Sequence, residues 1–150
     1  MKLDTTDKSI INRIQSDFPI DARPYRIIAK ELGLTEAKVI ERVRKMKDKG
    51  IIRRIGGNFV PHKVGFVSTL CAAKVPKDKI DAFAEVVNRY TGVTHNYQRD
   101  NEFNIWFTFI APSREEIAEN LDRIAIETGV DTILNLPATN VFKIRAKFDV

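Results

Sequence analysis

The stretch Gly33-Leu34-Thr35-Glu36-Ala37-Lys38-Val39-Ile40-Glu41-Arg42-Val43-Arg44-Lys45-Met46-Lys47-Asp48-Lys49-Gly50 decides the architecture of the N-terminal part. Gly33 supplies a tight turn, because glycine enters left-handed backbone at little cost. Thr35 follows as an N-cap, its hydroxyl able to accept a backbone N–H of the first helical turn. Val39, Ile40, Val43 and Met46 recur at spacings of three and four, which gives a helix one apolar face. Gly50 is placed to cap its C-terminus. Upstream, Pro24 stands where a helix can begin, and Ile27, Ile28 and Leu32 form its stripe. Further upstream, Ile10, Ile11 and Ile14 predict a first helix, N-capped by Thr6 and ended by Phe18-Pro19. Downstream, Ile51-Ile52 and Phe59-Val60 flank Gly56-Gly57-Asn58, the pattern of a two-stranded wing. Residues 1–60 therefore read as a winged helix-turn-helix.

Pro61 to Gly65 is a short connector, and residues 61–150 read as a second domain. Phe66 to Val75 is a strand rich in small and β-branched residues. Lys77 to Tyr90 is a helix with Ile80, Phe83, Ala84 and Val87 on one side. Val93 to Arg99 and Phe103 to Ile110 are strands joined by Asp100-Asn101-Glu102. Ser113, with Glu116 three residues on, opens a helix in capping-box register, and Ile117, Leu121 and Ile124 line its apolar face. The last strands fall within Asp131 to Phe148, broken near Pro137. Strand-helix-strand-strand-helix-strand is the ferredoxin-like order, so the chain is α+β.

The composition excludes several classes. Of 150 residues, 43% are hydrophobic and 30% charged, a globular balance. No apolar stretch reaches the length of a membrane-spanning helix. The single cysteine, Cys71, rules out an internal disulfide and a cysteine metal cluster, and its strand of Ala and Leu marks it as core. Met1 to Asp7 lacks the apolar region of a secretion signal, so the expected setting is cytoplasmic. Charge is uneven: residues 1–60 hold 14 Lys/Arg against 8 Asp/Glu, and residues 61–150 hold 11 against 12. The N-terminal excess points to an anionic partner, either nucleic acid or a small molecule with several carboxylates or phosphates.

The segment from Gly33 to Ile52 resembles the helix-turn-helix of the Lrp/AsnC regulators, and the ferredoxin-like half matches their effector-binding and dimerising domain. The central hairpin departs from them. Where the regulators carry a glycine-rich stretch ending in Tyr-Asp, this chain reads Thr94-His95-Asn96-Tyr97-Gln98-Arg99-Asp100 and then Asn104-Ile105-Trp106-Phe107-Thr108. That pairing resembles the siroheme decarboxylases, relatives of the regulators in the alternative heme pathway and the route to heme d1. The resemblance implies a carboxy-lyase that removes carbon dioxide from the C12 and C18 acetates of siroheme, leaving methyl groups and giving 12,18-didecarboxysiroheme. It also implies a heterodimer with a homologous second subunit, and no external redox cofactor.

Siroheme carries eight carboxylates, and arginine meets a carboxylate with two hydrogen bonds. The candidate substrate-binding residues are Arg53 and Arg54 on the wing, His62 and Lys63 in the connector, and Trp106, whose face can stack on a flat macrocycle. The basic N-terminal half is then expected to close over the anionic ring. The candidate catalytic residues are His95 as general acid, Tyr97 as hydrogen-bond donor or proton relay, and Arg99. Val93, His95, Tyr97 and Arg99 alternate onto one strand face, so these groups are expected to converge there, with Asn96 on the other. His62 is open between ligating the iron and capping the connector, Trp106 between stacking and core packing, and Arg99 between substrate contact and an ion pair with Asp100. No resident metal site is expected, because no zinc-ligand spacing is present. Two other readings stand beside this one. The chain is alternatively a DNA-binding regulator that sets Lys38, Arg42, Arg44 and Lys45 against phosphates. A third reading is a silent subunit shaping a pocket for its sister chain.

Overall fold

Helix α1 (Thr5–Ile14) starts from Asp4 rather than from Thr6. Asp4 Oδ1 accepts the Asp7 N–H at 2.8 Å, and Asp7 Oδ2 accepts the Asp4 N–H at 3.2 Å. This reciprocal capping box satisfies two N–H groups at once, which a single threonine hydroxyl cannot do. The helix ends at Gln15, short of Phe18-Pro19. Phe18 instead packs edge-on against Tyr25, with ring centroids 5.7 Å apart. The computed structural model describes residues 2–57, 59–143 and 150. It divides into two compact units, Met1–Gly57 with Lys143–Val150, and Asn58–Phe142.

In the first unit, α2 (Pro24–Glu31) opens with its proline at N1, and α3 (Glu36–Asp48) opens at Thr35, whose hydroxyl accepts the Lys38 N–H at 3.3 Å. Gly33 and Gly50 both adopt left-handed backbone, at φ 66° and 70°. Gly50 lets the Ile51 N–H turn back to the Met46 carbonyl at 2.9 Å, closing the end of α3. Ile10, Ile28, Ala29, Val39, Val43 and Met46 are buried together. Each large aliphatic chain so buried contributes about 1.5–3 kcal/mol. The helix-turn-helix is present, but the wing is not: no described residue between Ile51 and Val60 lies in a strand, and Asn58 is outside the described residues.

The second unit begins with a 3-10 turn (Pro61–Val64), followed by β1 (Val67–Ala73), a second 3-10 turn (Lys77–Lys79) and α4 (Ile80–Asn88). Then come β2 (Val93–Gln98), β3 (Ile105–Ala111), α5 (Arg114–Thr128) and β4 (Ile133–Leu136). The strands form one antiparallel sheet in the order β2-β3-β1-β4, which is the ferredoxin-like arrangement. Of the expected last strands, β4 ends before Pro137, residues 137–143 are not in a strand, and residues 144–149 lie outside the described residues.

Burial alternates along β3, with Ile105, Phe107, Phe109 and Ala111 buried and Trp106, Thr108 and Ile110 half-buried. The buried set joins Cys71, Phe83, Val87, Ile117, Leu121 and Ile124 in one core under the two helices. The other sheet face stays open within this unit: Leu70, Leu134 and Leu136 on β1 and β4 are exposed. Trp106 and Thr108 lie on that open face.

Candidate functional site

The edge strand β2 carries the candidate residues His95 and Tyr97, and its register explains which residues meet. Tyr97 pairs with Trp106 and His95 with Thr108, so both look onto the open face. Between Val93 and His95 the register shifts by one residue, because Val93 pairs with Phe109. A shift of one reverses the facing of everything before it. Val93 therefore turns to the core, where it packs under the helices, instead of sharing a face with His95 as strict alternation predicted. Asn96 faces the helix side as expected, and its Nδ2 donates to Asn88 Oδ1 of α4 at 3.0 Å.

On the open face the imidazole of His95 and the phenol of Tyr97 stack, with centroids 6.1 Å apart and planes 25° from parallel. Tyr97 is 47% exposed. The Arg99 guanidinium lies over the Trp106 ring, 5.9 Å from its centroid, and forms no ion pair with Asp100 among the described residues. An exposed cation over indole gains about 0.5–1 kcal/mol. Trp106 is fixed from below: its Nε1 donates to the Phe103 carbonyl at 2.6 Å. The structure thus brings His95, Tyr97, Arg99 and Trp106 to one surface. It presents an acid-base group, a phenol, a bidentate cation and a flat aromatic, all reachable by a broad planar ligand.

The other candidates lie elsewhere. His62 and Lys63 are exposed in the first 3-10 turn, which leads into the Val67 end of β1. That end faces Ala111, whereas Trp106 faces Ala72, about 17 Å further along the strand. Arg53 and Arg54 are exposed residues of the first unit. A cleft of about 380 Å³ in the second unit is lined by Phe66, Tyr90, Gly92, Thr94, Ile110 and Glu116, among others, but by none of the candidate residues.

Sequence reasoning missed two side chains. Thr94 Oγ1 lies 3.1 Å from His95 Nδ1. Asn104 Oδ1 accepts the Val75 N–H at 2.9 Å while its Nδ2 donates to the Val75 carbonyl at 2.8 Å. The Asn104 carbonyl also accepts the Arg99 N–H at 2.8 Å. Asn104 thereby ties the site hairpin to the end of β1. The available signal was an asparagine at a strand entrance, where its side chain is poor at packing and good at bonding backbone.

The cations suggested for DNA are partly committed. Lys38 pairs with Glu41 at 3.3 Å. Arg42 Nη1 donates to both Asp4 and Asp7 at 2.7 Å, and Asp7 is 3% exposed. That guanidinium holds the Asp4 carboxyl below its ordinary value and is itself raised. Arg44 and Lys45 remain on a shallow outer face with Asp48 and Lys49.

Residues 63–143 match the model of the AsnC-like ligand binding domain, and residues 7–53 match that of the siroheme decarboxylase NirDL-like HTH domain. The chain is 54% identical to a siroheme decarboxylase alpha subunit of Oleidesulfovibrio alaskensis, over 98% of this chain and 89% of that one. The chain belongs to the siroheme decarboxylase family. A second alpha subunit of this family, from Desulfovibrio desulfuricans, is 56% identical over 97% of this chain and 84% of that one. Among solved structures, siroheme decarboxylase NirDL in complex with an iron-uroporphyrin III analogue superposes with a TM-score of 0.63 at 31% identity. The match covers 92% of this chain and 47% of that one, so the chain spans about half the length of NirDL.

Proposed function

We propose that this chain is a subunit of a siroheme decarboxylase, a carboxy-lyase acting with a homologous second subunit on the C12 and C18 acetates of siroheme. One observation supports the reading beyond family membership: His95, Tyr97, Arg99 and Trp106 share the open face of the sheet. Arg99 meets a propionate or acetate carboxylate, and Trp106 lies against the macrocycle. His62 and Lys63 lie about 17 Å from Trp106 along β1, so Arg99 is the cation that this surface itself offers to a carboxylate.

The chemistry is redox-neutral. The bond between the acetate methylene and its carboxylate breaks, carbon dioxide leaves, and the electron pair is left on the methylene carbon in conjugation with the ring. A proton from His95 then completes the methyl group, and Tyr97 beside it relays or steadies that proton. Protons and carbon dioxide balance the reaction, so no further cofactor is needed.

The test is anaerobic incubation of the chain and its partner subunit with siroheme, followed by mass spectrometry. The expected result is loss of one carbon dioxide mass per acetate, abolished or strongly slowed by His95→Ala. Intact siroheme, or equal turnover by the His95→Ala complex, contradicts the proposal.

A further inference from the structure

We infer that Thr94 is a positioning residue for His95, and that the bulge in β2 is what allows it. The inference rests on the reading of His95 as proton donor and deepens it. In a regular strand, residues 94 and 95 point to opposite faces, and a threonine hydroxyl cannot reach the next imidazole. Here the register slips by one between Val93 and His95. Thr94 is the extra residue, and its Oγ1 comes to 3.1 Å from His95 Nδ1. Both side chains are exposed, so no surrounding core forces the contact.

The contact divides the two ring nitrogens. Among the described residues, Nδ1 has a partner and Nε2 has none. A hydroxyl can accept from Nδ1–H or donate to a bare Nδ1, and only acceptance is possible while both ring nitrogens carry hydrogen. With Thr94 accepting, Nδ1 keeps its proton and Nε2 is the atom that gives and regains one. The stacked Tyr97 ring limits rotation of the imidazole. The bulge itself follows from crowding at the head of the strand. Gly92 accepts the Ile110 N–H at 2.9 Å, and a Cβ at Gly92 would stand 2.1 Å from the Ile110 carbonyl oxygen.

The test is a double-mutant cycle on siroheme turnover by the complete complex, together with nitrogen NMR of the His95 ring. Thr94→Val keeps the β-branched shape and removes the hydroxyl. It is expected to slow turnover about tenfold, the loss of one hydrogen bond to an acting group. Thr94→Ser is expected to stay within about twofold of wild type, and Thr94→Val is expected to add nothing in a His95→Ala background. The ring spectrum should shift away from the Nδ1-protonated form in Thr94→Val and return in Thr94→Ser. Wild-type turnover in Thr94→Val, or an equal loss with and without His95, overturns the inference. Should His95→Ala turn over normally, the role of His95 fails, and the ring spectra alone decide whether Thr94 sets its proton.

Discussion

Replacing Gly92 by alanine adds one methyl group in a place that has no room for it. The new Cβ would lie 2.1 Å from the Ile110 carbonyl oxygen, more than an ångström inside ordinary contact. Ile110 cannot simply retreat, since β3 is bonded to β1 on its other side, with Ile110 opposite Ser68. The strands must separate at this point, and the Ile110 N–H to Gly92 bond is stretched or lost. Overpacking of this kind costs about 1–3 kcal/mol, and the bond adds about 0.5–1.5 kcal/mol. A total near 3 kcal/mol should lower the thermal midpoint of the second unit by on the order of 10–20 °C. Unfolding followed by near-ultraviolet circular dichroism measures this. Gly33→Ala serves as a contrast: nothing lies within 4 Å of its added methyl, so only the left-handed backbone is penalised, at about 1–2 kcal/mol. Stability of Gly92→Ala within about 0.5 kcal/mol of wild type would refute the crowding argument, and with it the account of why β2 bulges.

Three further outcomes are expected. Asp4 and Glu31 are held below their ordinary values of 3.8 and 4.5 by arginine partners, so their contribution is complete above those values and is lost as pH falls through the lowered ones. Helix content of the first unit should therefore decline in acid, and Arg42→Met should flatten that decline; identical acid curves would contradict the pairing. Cys71 is fully buried and its thiol is pushed up to about 12, so native protein should resist alkylation that unfolded protein undergoes at once. Arg99→Lys should raise the siroheme concentration needed for half-maximal turnover severalfold while sparing the helix and sheet spectra, because an ammonium lacks the planar fork; unchanged concentration dependence would remove Arg99 from the substrate contact.

Much of the fold was readable because its signals are local. Gly33, Gly50, Thr35 and Ser113 act within four residues of themselves, and each does what its chemistry dictates. Thr6 misled because Asp4 and Asp7 satisfy the same pattern with two bonds instead of one. The wing failed for another reason: Ile51-Ile52 and Phe59-Val60 fit a hairpin, but pairing also needs partners that no local pattern specifies. In the candidate site, the shared facing of His95, Tyr97 and Arg99 was legible from alternation, since a regular strand does run from His95 onward. Val93 was not, because a one-residue bulge depends on how Gly92 meets Ile110, a contact between strands.

The chain has a single tryptophan, and it is the residue lying beneath Arg99. Its indole emission, excited beyond the tyrosine band, therefore originates wholly within the proposed docking surface. An iron tetrapyrrole settling there would darken that light by energy transfer. The molecule thus carries a built-in lamp at its own workbench, and titration with pigment reads binding without any attached dye.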